Sequence, residues 1–156
     1  MTPELATKIA VARKALADSE DGDLAGTIGA PTARVINVLP GWELYREFLQ
    51  LADGATFGGV DLWSADELPD KQYVSVDFPG QGNRWLAIGQ VLYEPVALEK
   101  ATGRVRLFRV DGDPDGEDLG DFDSLLGRLL GPGYEQLVPD VDDDEWWTLL
   151  KAAGLR

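Results

Sequence analysis

Apolar side chains return at Leu5, Ile9, Ala12 and Leu16, a narrow stripe at helical spacing. Pro3 and Glu4 suit a first helical turn, so the pattern predicts a helix over residues 3–19. The stretch from Asp18 to Gly29 is polar and glycine-rich and reads as loop. Ala30 to Val38 declares no element: Pro31 interrupts it, while Val35, Ile36 and Val38 are available to a core. From Leu39-Pro40 to Gly54, Leu44, Tyr45, Phe48, Leu49, Leu51 and Ala52 make a broad apolar face. This predicts a second helix that begins at Pro40 and closes on Gly54 in the left-handed conformation.

The period then shortens to two. Val60 to Ser64 alternates after the turn at Gly58-Gly59, and Tyr73 to Phe78 alternates with Val74, Val76 and Phe78 on one side; both are expected strands. Asp66, Glu67 and Leu68 suit a helical turn before Pro69. Trp85 to Gln90 reads as a central strand, and Val96–Glu99 with Arg104–Val110 bracket Lys100-Ala101-Thr102-Gly103 as a hairpin. Helical spacing resumes with Phe122, Leu125, Leu126 and Leu129, ending near Gly131-Pro132-Gly133, with a further turn around Tyr134 to Val138. A last helix follows, with Asp142 as its cap, Glu145 three residues on, and Trp146, Leu149, Leu150 and Ala153 as its buried stripe. The expectation is a single α+β domain over residues 1–156, a central antiparallel sheet of four to six strands flanked by N-terminal and C-terminal helices.

The chain has neither cysteine nor histidine, which excludes disulfides, thiolate nucleophiles and Ser-His-Asp mechanisms within it. No apolar run has the length of a membrane span, and the charged first turns are unlike a signal peptide, so a cytoplasmic protein away from membranes is expected. The net charge of -14 is unevenly spread. Residues 111–145 carry thirteen acidic side chains against Arg128 alone, whereas residues 1–110 carry fifteen against eleven basic ones. Phosphates need a basic surface, so nucleic acid is an unsuitable partner and a basic protein a suitable one.

Catalytic and cofactor motifs are sparse. There is no phosphate-binding glycine motif, and Gly80-Gln81-Gly82-Asn83 lacks the helix that would follow one. Asp111-Gly112-Asp113-Pro114-Asp115-Gly116 opens like an EF-hand calcium loop, but its twelfth position is Phe122 in place of the bidentate glutamate. A solvated acidic loop is the better reading, as it is for Asp140 to Asp144. Carboxylates abound, yet none of Asp61, Glu94 and Glu99 pairs itself out as a hydrolase dyad. No metal, no cofactor and no enzymatic activity is expected. Trp85 and Trp146 fall at core positions. Trp63 lies opposite Leu62 on its strand and Trp147 lies off its helix's apolar stripe, so these two are the tryptophans expected to reach a partner, if any does.

Three blocks carry a family resemblance: Leu39-Pro40, Tyr45 and Phe48-Leu49 closing on Gly54; Trp85-Leu86-Ala87-Ile88-Gly89 followed by Val96–Glu99, Thr102–Val105 and Phe108; and Asp121-Phe122-Asp123-Ser124-Leu125-Leu126. Over roughly residues 35–130 they resemble the SUKH superfamily of bacterial toxin-immunity proteins and fungal cell-wall-assembly regulators. The chain departs from the family pattern at Val91-Leu92-Tyr93-Glu94-Pro95, where members often carry a Gly- and Asp-rich link. The resemblance implies a bacterial, non-catalytic domain that binds and neutralises a cognate toxin, often a nuclease. The candidate contacts are Asp113, Asp115, Glu117 and Asp118, with Trp63 and Trp147. A housekeeping regulatory or scaffold protein is the alternative, and a carboxylate-dependent hydrolase the third.

Overall fold

The hydroxyl of Thr2 accepts the amide of Leu5 and opens the first helix, α1 (Pro3–Asp18), whose Leu5, Ile9 and Ala12 are buried as their spacing requires. The computed structural model describes residues 1–32 and 41–156. The Arg13 guanidinium donates to the carbonyls of Ile28, Gly29 and Leu51 at 3.3, 3.0 and 2.7 Å, tying α1 to the sheet's first edge.

Seven antiparallel strands follow one another in space in chain order: β1 (Gly26–Ile28), β2 (Ala55–Phe57), β3 (Val60–Leu62), β4 (Trp85–Val91), β5 (Glu94–Glu99), β6 (Val105–Leu107) and β7 (Glu117–Gly120). The count exceeds the expected four to six because β1, β2 and β7 are three or four residues long, too short for alternation to declare them. A short helix, α2 (Gly22–Ala25), and β1 thus occupy part of the segment read as loop. One sheet face presents Phe57, Val60, Leu62, Leu86, Val96, Leu98, Val105 and Leu107 to the main core. Packed in that same core are α1, α6 (Phe122–Leu129) and α7 (Glu145–Ala152), with Leu125, Leu126, Leu129, Trp146, Leu149 and Leu150.

The other face has two halves. In register across it run Thr27, Thr56, Asp61 and Gln90, a polar row over β1 to β4. Over the start of β4 and over β5, Trp85, Ala97 and Phe108 form a small second core with Phe78, whose ring stacks on Phe108 at 3.8 Å. Tyr73 to Phe78, expected as a strand, is mostly a 3-10 helix (Gln72–Asp77) laid against this half. The Gln72 side chain explains the difference. Its amide donates to the Ala87 carbonyl at 2.9 Å and accepts the Ala87 amide at 3.0 Å, so a side chain supplies pairing that a strand would otherwise provide. Two further short helices, α4 (Leu68–Lys71) and α5 (Gln81–Arg84), flank it; α4 runs through Pro69 rather than stopping before it.

The second expected helix is also shorter. A 3-10 turn (Trp42–Leu44) leads into α3 (Arg46–Leu51), with Tyr45 between them, buried and donating its hydroxyl to the Trp63 carbonyl at 2.8 Å. Gly54 closes the segment with φ +83° as expected. Leu39 and Pro40, and Val35, Ile36 and Val38, lie outside the described residues. The cap of the last helix moves by two positions: Asp144, not Asp142, accepts the Trp147 amide at 3.0 Å, because Val141–Asp143 are taken up in a 3-10 turn.

Candidate protein-binding surface

The registers place three connections at one end of the sheet: the β2–β3 turn at Gly58-Gly59, the β4–β5 turn at Leu92-Tyr93, and the β6–β7 loop around Asp111 to Gly116. The start of α7 arrives there too. Gly59 donates its amide to the Tyr134 hydroxyl at 3.0 Å, and that hydroxyl donates to Asp144 at 2.7 Å. Gly58 has φ +58°, and a Cβ on it would lie 2.2 Å from the Tyr134 oxygen, so only glycine fits the turn. Burial pushes the Tyr134 hydroxyl well above its ordinary range, so it stays a donor to Asp144 at neutral pH.

Two acidic segments that are distant in sequence therefore share one end of the molecule. Asp111, Asp113 and Asp115 are exposed on one side; Asp140, Asp142 and Asp143 are exposed on the other. The loop 111–116 closes on itself: Asp113 accepts the Asp115 amide at 2.9 Å, and Gly116 returns its amide to the Asp113 carbonyl. Among the described residues, no group of three or more carboxylates is gathered in a way that could hold a metal ion.

The four carboxylates chosen from sequence divide. Asp113 and Asp115 enter no ion pair among the described residues. Glu117 is held by Arg109 at 3.0 Å, the same guanidinium that reaches Glu94 at 3.2 Å. Asp118 is held by Arg104 at 2.8 Å; that hydrogen bond, with the Gly120 amide, keeps its carboxyl below the usual range.

The two tryptophans divide as well. Trp63 is only 6 % exposed, its amide bound to the Ile88 carbonyl and the Lys71 ammonium 5.6 Å from its ring centre. Of the two tryptophans named as those that would reach a partner if any did, Trp63 is therefore ruled out: β3 ends at Leu62, and the Trp63 side chain is buried beside Lys71 of α4. Trp147 is half-buried, its ring 6.2 Å from Tyr134 and the Arg156 guanidinium 3.8 Å from its centre.

Sequence reasoning passed over three side chains at this end. Tyr93 and Val110 are each 88 % exposed and Leu92 is 43 % exposed. The available signal was the segment Val91-Leu92-Tyr93-Glu94-Pro95 itself, in which two large apolar residues occupy a two-residue turn.

No protein-family model, curated protein or solved structure matches the chain.

A second concavity, a cleft of about 510 Å³, lies along the polar row on the opposite sheet face, with Asp53, Asp61 and Glu67 in its wall. Each of these carboxylates already has structural work. Asp53 accepts the Ala65 amide at 2.8 Å and Glu67 the Ser64 amide at 3.0 Å. Asp61 takes the Thr56 hydroxyl on one oxygen at 3.1 Å and the Gln90 amide on the other at 2.7 Å.

Proposed function

We propose that this chain is a non-catalytic protein-binding domain of the SUKH kind, an immunity protein that neutralises a cognate toxin with a basic surface in the bacterial cytoplasm. The observation that carries the reading is the placement of segments 111–116 and 140–143 at the same end of the sheet, with Asp113 and Asp115 in no ion pair among the described residues. Opposed fields speed encounter and favour a basic partner over an acidic one. A nuclease is the kind of toxin that suits this best, because its substrate cleft is itself basic.

The test is affinity capture from lysate of the source organism at low salt and at about 0.5 M, where exposed charges are strongly screened. The expected result is one basic, toxin-like protein, retained at low salt and weakened at high salt. Converting Asp113 and Asp115 to Asn should weaken that retention; the same change at Asp118, already matched by Arg104, should matter less. A nonbasic partner that survives high salt would instead indicate a regulatory scaffold.

A further inference from the structure

Among the described residues, Tyr93 and Tyr73 are the two exposed aromatic side chains; Tyr73 belongs to the 3-10 helix Gln72–Asp77 that Gln72 ties to Ala87 of β4. Tyr93 stands at the acidic end in a turn built against its own residue types. Leu92 and Tyr93 both have positive φ, +48° and +72°, between the paired residues Val91 and Glu94. A two-residue turn of this hand is what Asn-Gly adopts without strain, whereas L side chains with a Cβ adopt it at a cost.

The turn is held firmly. Leu92 donates its amide to the Gly59 carbonyl at 2.8 Å, and its Cδ2 would lie 2.7 Å from a Cβ on Gly59. On the other side, Glu94 accepts the Val110 amide at 2.7 Å and the Arg109 guanidinium at 3.2 Å. Tyr93 is therefore a projecting aromatic on a fixed base. Such a group contacts a partner at little entropic cost. Leu92, and Val110 whose amide Glu94 holds beside the turn, extend the apolar centre, and the exposed Asp111 and Asp113 follow Val110 in the chain as its acidic rim. An apolar centre inside a charged rim is the anatomy of a protein interface.

The rim selects the occupant. A second copy of the chain would bring carboxylates against carboxylates, and nucleic acid or an anionic membrane would be repelled in the same way. We infer that the Leu92-Tyr93 turn is the anchor by which this chain enters an apolar pocket, rimmed by Lys and Arg, on a basic protein. The inference rests on the protein-binding reading above and names the residues that do the binding.

The test begins with a benzophenone amino acid replacing Tyr93, or in parallel Tyr73, in the full chain expressed in the source organism and irradiated. The expected product at position 93 is an adduct with one protein, identified by mass spectrometry as basic, with no such adduct at position 73. That protein is then purified and titrated calorimetrically. Tyr93→Ala should weaken binding ~30-fold, as for a central aromatic anchor. Tyr93→Phe should weaken it only slightly, and Tyr73→Ala should leave it unchanged. The pair Leu92→Asn with Tyr93→Gly should also weaken binding while melting no lower than the parent, which separates lost contact from lost fold. No adduct at 93, an adduct between two copies, or full affinity in Tyr93→Ala overturns the anchor. If Tyr93→Ala binds fully while Asp113→Asn with Asp115→Asn binds less, the anchor falls and the protein-binding reading stands. If no basic protein is found by cross-linking or capture, both fall.

Discussion

Two hairpin turns in the same sheet are built on opposite principles. At the β5–β6 turn, Gly103 takes the left-handed position with φ +74°. Around it the charges are matched: Arg84 meets Glu99 at 2.7 Å, Thr102 donates to Glu99 at 2.7 Å, and Lys100 donates to the Gly82 carbonyl. At the β4–β5 turn the left-handed positions fall to Leu92 and Tyr93, and the neighbouring Asp111, Asp113 and Asp115 have no cation among the described residues. The first turn uses residues suited to its backbone and satisfies its own polar groups. The second gives up local stability and leaves apolar area and negative charge facing outward. A region that is locally inconsistent inside an otherwise consistent sheet is where function is to be sought.

The largest test of this contrast is the support beneath the acidic end. Trp146 is fully buried, 4.8 Å from the Phe57 ring, and donates its indole N–H to the Leu129 carbonyl at 2.8 Å. Trp146→Ala should cost about 3–5 kcal/mol in urea unfolding. If the loss is far smaller, α7 is not what holds segment 140–144 in place. The hairpins themselves offer a reciprocal pair of moderate effects. Gly103→Ala should destabilise by about 1 kcal/mol, because φ is positive there, whereas Leu92→Asn with Tyr93→Gly should be neutral or stabilising by up to about 1 kcal/mol. Equal and destabilising shifts in both would erase the distinction between the two turns.

The smallest effect depends on pH and belongs to the matched end. Asp121 caps α6 by accepting the Ser124 amide and hydroxyl, each at 2.8 Å, and those bonds hold its carboxyl below the usual range. A carboxyl whose folded value is lowered adds stability that is fully present above its unfolded value, about 3.9, and is lost as pH falls through the folded value. Asp121→Ala should therefore cost about 1 kcal/mol at pH 7, and the gap to the parent should begin to narrow below about pH 4 and close only as pH passes the lowered folded value. Thermal unfolding of the two proteins at pH 7, 5 and 3 measures it. A gap no narrower at pH 3 than at pH 7 would mean that the cap does not act through its charge.

Much of this was legible in advance where a pattern ran long enough to repeat. The stripe Leu5-Ile9-Ala12 did appear on α1, and the central strand at Trp85–Gln90 and the hairpin around Lys100–Gly103 lie where the apolar run and the loop residues placed them. Short elements were illegible for the same reason: three residues of β1 cannot show a period, and the strand forms because Phe57, Thr56 and Ala55 are there to pair with it. The segment 73–78 misled because its alternation is genuine, while Gln72, by binding both backbone groups of Ala87, had already taken part of the pairing it would have needed.

The acidic surface divides along the same line. By itself the sequence determined the composition of an acidic surface: an α+β scaffold, a net charge of -14 of which residues 111–145 carry -12, and neither cysteine nor histidine. Tertiary structure decided which of those charges remain available, matching Glu117 and Asp118 to arginines and leaving Asp113 and Asp115 in no ion pair among the described residues. It also buried Trp63 and exposed Tyr93, two aromatics whose sequence neighbourhoods do not distinguish them. The physical reason is range. Periodicity and charge density are local sums that a single chain carries along its length, whereas ion pairing and exposure depend on which distant strand, turn or helix the fold brings alongside.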